Sequence, residues 1–107
     1  MPATTDAIDA DFVVVGAGSA GCVMAARLSE DPATKVVLLE AGGEDKSMWI
    51  HIPLGFGKTF ADKRVNWCFE TEPDAGAGGR SIFWPRGKVL GGSSSINGMV
   101  YIRGQHE

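Results

Sequence analysis

The chain has 107 residues, 44% hydrophobic and 21% charged, which bounds it to one soluble globular domain or a part of one. Its formal net charge is −3 and it has no run of Lys and Arg, which excludes the basic face that nucleic acid requires. No apolar run is long enough to span a bilayer, and no basic amphipathic segment fits a membrane surface, so no transmembrane segment is expected. Met1–Ala10 carries Asp6 and Asp9 and no basic residue, unlike a secretory signal, and the expected location is cytoplasmic.

Asp11–Val15 is a short run rich in β-branched residues that ends at Gly16, the pattern of a buried parallel strand. Ala20–Ser29 contains good helix formers and no Pro, and Pro32 forbids its continuation. Lys35–Glu40 is a second apolar run, expected to be a buried strand. Together the three segments predict a βαβ unit, whose connection is right-handed by rule. Ser47–Lys58 is apolar but broken by Pro53 and Gly55, which predicts a short helical turn and irregular chain. Asn66–Thr71 and Ser81–Trp84 read as the arms of a hairpin around the Gly-rich loop Asp74–Gly79. Gly87–Ser95 is a Gly/Ser-rich turn. Ile96–Ile102 then reads as a helix with Ser94 or Ser95 as its N-cap. The cysteines, Cys22 and Cys68, are far apart and form no CxxC pattern; both are expected to be small buried residues rather than a disulfide, and no metal site is expected.

Glycine is unusually frequent, with 15 residues, 13 of them clustered at 16–21, 42–43, 76–79 and 87–104. Gly16-Ala17-Gly18-Ser19-Ala20-Gly21 fits G-x-G-x-x-G between a strand and a helix. Gly16 permits the tight turn, Gly18 leaves room for a pyrophosphate against the backbone, and Gly21 lets the helix pack closely. The pyrophosphate would lie on free N–H groups at the positive end of the helix. Glu40, at the end of the second strand, is placed to accept from the ribose hydroxyls of an adenosine and to repel a 2′-phosphate. The motif by itself does not separate FAD from NAD.

The second glycine cluster is more specific. Gly87, Lys88, Leu90, Gly91, Gly92, Ser93, Ser94, Ile96, Asn97 and Tyr101 match, position by position, the first signature of the glucose–methanol–choline (GMC) oxidoreductases. The stretches up to Glu40-Ala41-Gly42-Gly43, Asn66-Trp67 and Glu70-Thr71-Glu72-Pro73 also resemble that family, most of all its bacterial alcohol and choline dehydrogenase branch. The resemblance implies an α/β fold: a Rossmann-like FAD-binding βαβ unit with an added hairpin and a Gly-rich flavin loop, incomplete relative to the family fold. Residues 1–107 would be the amino-terminal part of an FAD-binding domain without its substrate domain.

By position, the resemblance implies that Ser19, Ala20, Glu40 and Ala41 line the adenosine and pyrophosphate, joining Gly16, Gly18 and Gly21. It implies that Gly91, Ser93, Asn97, Gly98, Met99 and Val100 contact the ribityl chain and flavin ring; Trp67 is a further candidate. Ile96 stands where some members attach the flavin to a His, so FAD is expected to be held non-covalently. The implied reaction is oxidation of a small-molecule alcohol with hydride transfer to flavin N5. The family's catalytic His lies in later sequence, and neither His51 nor His106 falls in that segment, so no catalytic residue is assigned in this chain. Two other readings remain: a non-catalytic flavin- or nucleotide-binding module, and an NAD-dependent enzyme, which leaves the Gly91–Tyr101 loop without a role.

Overall fold

The structure is a computed structural model that describes residues 7–105. Strand β1, Phe12–Val15, pairs in parallel with β2, Val36–Leu39, in the register Phe12 to Val36 through Val15 to Leu39. Helix α1, Ser19–Leu28, connects them and lies across both. The βαβ unit is therefore present, with β1 starting one residue late, β2 one residue shorter at each end, and the helix shifted one residue toward the N-terminus. The helix stops at Leu28, where the Ser29 N–H closes on the Ala25 carbonyl. That is ahead of Pro32, in a turn that the Asp31 carboxylate completes by accepting from Ala33 N–H.

Pro53 and Gly55 break the next segment as expected. Helix α2, Met48–His51, gives way to a 3-10 turn at Pro53–Gly55 and then to α3, Phe56–Thr59. The hairpin follows as two short antiparallel strands, β3 (Phe69–Glu70) and β4 (Phe83–Trp84). Its loop turns on Asp74, whose carboxylate accepts from Gly76 N–H and whose carbonyl accepts from Gly79 N–H.

The core does not lie where the strand pattern put it. Phe12, Val13 and Val15 of β1, and Leu38 and Leu39 of β2, are exposed. The buried apolar residues are Ala17, Val65, Val89 and Ile96, with Ile50 packed against the last three. The total accessible surface is 8540 Å², against about 5700 Å² for a compact protein of this mass. A two-stranded sheet with one helix on it cannot bury either strand on both faces, so the apolar runs that read as buried strands stay open. Cys22 and Cys68 depart from expectation for the same reason: both thiols are free, Cys22 is exposed on α1, and Cys68 is half-buried.

The expected helix over Ile96–Ile102 is absent. A 3-10 turn covers Gly92–Ser95 and ends at Ile96. The hydroxyls that were to cap forward bond backward instead, Ser94 to the Gly91 carbonyl and Ser95 to the Leu90 carbonyl. The Asn97 carboxamide then accepts from Met99 N–H, and Met99 takes a left-handed φ of 54°, which ends helical propagation. Gly98, Val100 and Ile102 are poor helix formers, and Val100 and Ile102 have nothing to pack against.

What holds the second half together is the buried carboxamide of Asn66, 1% exposed. Its Nδ2 donates to the Phe60 carbonyl at 2.8 Å, and its Oδ1 accepts from Cys68 N–H at 2.9 Å and Arg86 N–H at 3.0 Å. One side chain thus fixes the segments 60, 66–68 and 86 to each other. Asn66→Ala leaves the Cys68 and Arg86 N–H groups without partners and the Phe60 carbonyl with only the Cys68 thiol, and the expected loss of stability is about 2–4 kcal/mol. Urea unfolding of the complete protein that carries this chain checks it; a loss below about 1 kcal/mol would show that water replaces the carboxamide.

Candidate functional site

A cleft of about 570 Å³ opens at the carboxyl ends of β1 and β2, where open α/β sheets bind ligands. One wall is Val15, Gly16, Gly18, Leu39, Glu40 and Ala41. The other is Trp67, Phe69, Arg86, Gly87, Gly92 and Ser93.

The first wall is the glycine turn. Gly16 has φ +94°, and its N–H donates to the Leu39 carbonyl at 2.7 Å, so the turn starts from the end of the sheet. Gly21 sits in the first turn of α1, where an added Cβ would fall 1.8 Å from the Gly16 carbonyl oxygen; only glycine allows this approach. Gly18 is different. An added Cβ there meets no protein atom within 4 Å, and its backbone is in the ordinary extended region. The space beside Gly18 is therefore not needed by the chain. α1 opens onto it with no acidic residue in its first turn, and its leading N–H groups have no intrahelical acceptor. The cradle fits a diphosphate.

Glu40 does more than the sequence implies. Its Oε2 accepts from Ala17 N–H at 2.7 Å and its Oε1 from Gly42 N–H at 2.8 Å. The carboxylate is a strut that fixes the glycine turn to the chain leaving β2. A carboxylate has about four acceptor sites. Two are spent here, which leaves acceptor capacity toward the cleft.

The two walls meet at Ala17, which is 0% exposed. Its carbonyl accepts from Gly91 N–H at 2.8 Å. Gly92, at φ +58°, lies so near Gly18 that an added Cβ would stand 2.8 Å from the Gly18 Cα. The segment behind it runs between two neighbours: Leu90 N–H donates to the Gly43 carbonyl, and Lys88 N–H to the Val65 carbonyl, both at 2.8 Å. Val89 is fully buried between them. Trp67 stacks on Phe69 with ring centroids 5.6 Å apart, and the Lys88 ammonium lies 4.6 Å from the Trp67 ring centre. Trp67 is half-exposed on the cleft wall rather than in the core.

The sequence-derived site residues therefore fall into groups. Gly16, Gly18, Glu40, Ala41, Trp67 and Ser93 line the cleft. Ser19 and Ala20 are exposed at the mouth of α1, while Gly21 and Gly91 shape the turn and the wall contact. Asn97 and Met99 line a different and smaller cleft, with Trp49, Pro53 and Phe56. Gly98 and Val100 are exposed and line neither of these two clefts. Sequence reasoning missed Ala17, Asn66 and Arg86 as site-shaping residues; Ala17 and Asn66 work through hydrogen bonds to distant segments, which leave no periodic trace.

A second cleft of about 490 Å³ lies by Gly43, Met48, Trp49 and Val65. There the Arg64 guanidinium bonds the Asp62 carboxylate and holds its pKa below the usual range, while its own is raised. His51 lies outside the first cleft, and its Nε2 donates to the Asp45 carbonyl at 2.6 Å. His106 falls outside the described residues.

The model of the GMC oxidoreductase family matches residues 10–107. The chain is 59% identical to the alcohol dehydrogenase (acceptor) of Pseudomonas putida over 91% of its length, and covers 18% of that protein. It is 54% identical to the mitochondrial choline dehydrogenase of Homo sapiens over 90% of its length, and covers 17% of it. Among solved structures, pyridoxine 4-oxidase from Mesorbium loti superposes with a TM-score of 0.79 at 44% identity, covering 90% of this chain and 19% of that one. An FAD-dependent oxidoreductase from Chaetomium thermophilum gives a TM-score of 0.70 at 32% identity, covering 90% and 16%. The chain thus spans less than a fifth of the length of these relatives.

In Glu40→Gln one amide nitrogen must face a backbone N–H, of Ala17 or of Gly42, and that half of the strut opens. Charge-assisted bonds of this kind contribute about 1.5–3 kcal/mol each. The variant is expected to melt lower without ligand and to bind ADP about ten- to hundredfold more weakly. Thermal melts and ADP titration of the complete protein check this, and unchanged melting would show that the strut carries no load.

Proposed function

This chain belongs to the GMC oxidoreductase family, and we propose that it forms the amino-terminal, FAD-binding part of an enzyme that oxidises a small-molecule alcohol to a carbonyl compound. FAD is the cofactor of the family's amino-terminal domain. The observation that carries the reading is the cleft itself: an open Gly18 at the mouth of α1, with Glu40 on one side and the Gly92–Ser93 loop on the other. FAD, when bound, supplies a hydride acceptor for the alcohol carbon.

The chain's own part is binding and orientation. The turn at Gly16–Gly18 and the leading N–H groups of α1 receive the diphosphate. The free acceptor sites of Glu40 receive ribose hydroxyls, and a negative charge there disfavours a 2′-phosphate. Ser19, Ala20 and Ala41 complete the adenosine side, with Trp67 on the facing wall. Gly91, Ser93 and the segment Asn97–Val100 reach toward the ribityl chain and the ring. Asn97 and Met99 line a smaller cleft with Ser94 and Ser95, and Asn97 lines another with Arg86 and Ser93 of the first cleft's wall, which supports a flavin end that continues past the Gly92–Ser95 turn.

Ile96 is 3% exposed and packs with Val65 and Val89. It offers no nucleophile, so FAD is held non-covalently. No residue here is assigned as the base that takes the hydroxyl proton, and the 107 residues alone are inactive in this reading. The proposed location is cytoplasmic; among the described residues no helix is long and apolar enough to cross a membrane.

Two measurements test this reading. Gly18→Val places a branched side chain in space the fold does not use, so the complete protein should keep its far-UV spectrum and melting behaviour but lose its flavin. Retention of a full flavin absorbance band would overturn the assignment of the cleft. The complete wild-type protein should be yellow, should bleach with a primary alcohol or choline under anaerobic conditions, and should release its flavin on acid denaturation. A protein that binds FAD but is not reduced by any alcohol would leave the non-catalytic module as the better reading.

A further inference from the structure

We propose that Arg86 is the cation that neutralises the dinucleotide's diphosphate, supplied across the cleft by the wall that faces the glycine turn. The inference rests on the FAD reading of the cleft and adds to it a residue that the motif and the signature leave without a role.

The first ground is charge. The diphosphate of FAD carries one negative charge on each phosphoryl group, and Glu40 adds another in the same cleft. The N-terminus of α1 offers only about half an elementary charge. Among the described residues that line the cleft, Arg86 is the one cation. Lys88 is near but does not line it, and its ammonium is placed over Trp67.

The second ground is placement. Arg86 is held at its backbone from both sides: its N–H donates to the buried Asn66 Oδ1 at 3.0 Å, and its carbonyl accepts from Trp67 N–H at 2.9 Å. The position of its Cα is therefore fixed by a carboxamide that is 1% exposed. Its guanidinium carbon lies 5.0 Å from the centre of the Trp84 ring, and Nη1 donates to the Pro85 carbonyl at 2.8 Å. An aromatic face orients a guanidinium while leaving its N–H edge free, the arrangement that suits bidentate binding of phosphate oxygens.

The third ground is that the charge is unspent among the described residues. The ion pairs among the described residues are Arg27 with Glu30, Lys46 with Glu44, Arg64 with Asp62, and the close approach of His51 to Asp45. Arg86 belongs to none of them. A guanidinium has five donors, and one is committed.

The test compares ligands that carry the diphosphate with one that does not. Apoprotein of the complete chain is titrated with FAD, ADP and riboflavin, for wild type, Arg86→Met and Arg86→Lys. Arg86→Met is expected to weaken FAD and ADP about ten- to hundredfold and to leave riboflavin unchanged. It should also flatten the dependence of FAD affinity on KCl concentration. Arg86→Lys should fall between, because it keeps the charge and loses the fork. Should Arg86→Met not fold, Arg86→Gln, which removes the charge and keeps a polar side chain of similar reach, decides: an FAD affinity equal to wild type would overturn the proposal. Equal FAD affinity in wild type and Arg86→Met, or an equal loss for FAD and riboflavin, would also overturn it while leaving the FAD reading intact. Wild-type protein that took up neither FAD nor ADP would overturn the cofactor reading, and this proposal with it.

Discussion

The peptide of Ala17 is the joint on which the site depends. Its N–H is bound by the Glu40 carboxylate and its carbonyl by the Gly91 N–H, so one buried residue ties the glycine turn to β2 and to the second glycine loop. A turn rich in glycine is conformationally free, and its order has to come from outside it. Here it comes from a charge-assisted bond on one side and a backbone bond on the other. The cost is that Glu40 commits negative charge to the cleft in which the proposed diphosphate would bind. The orphan N–H groups of α1 and a cation on the facing wall offset that charge.

The second wall is built by the same economy of means. Residues 86–92 form no regular strand, yet they bond to Asn66, Val65, Gly43 and Ala17 in turn. Val89 is buried at their centre, and the adjoining glycines allow backbone to lie on backbone, as at Gly87, where an added Cβ would come within 2.1 Å of the Gly92 carbonyl oxygen. The largest part of the buried apolar cluster sits behind this segment rather than under the sheet. Order is thus concentrated around the cleft. The sheet faces and the stretch from Met99 to Ile102 remain open. An arrangement of this kind fits a binding module that is rigid at its ligand and depends on further packing elsewhere.

Exposure on this scale also sets how far local sequence can decide local structure. Val100 is 85% exposed and Ile102 84%, and the segment that holds them is irregular. Helical propensity there is weak, and short helices form mainly when an apolar face is packed against something. With no such surface, the Asn97 carboxamide and the backward-bonding serines settle the backbone instead.

By itself the sequence determined the elements whose signal is local: the strand into Gly16, the helix out of Gly18, the strand into Glu40, the hairpin around Asp74, and the two glycine loops with their family resemblance. Each rests on neighbouring residues, on a spacing, or on a turn residue that admits few alternatives. Only the tertiary structure decided where the core lies, that Glu40 and Asn66 are struts, and that Ile96 begins no helix. Those outcomes depend on hydrogen bonds between residues as far apart as Ala17 and Glu40 or Asn66 and Arg86, and on which apolar surfaces find a partner. A carboxylate or carboxamide carries no mark in the sequence of which distant N–H it will accept from, and an apolar strand carries none of whether another layer covers it.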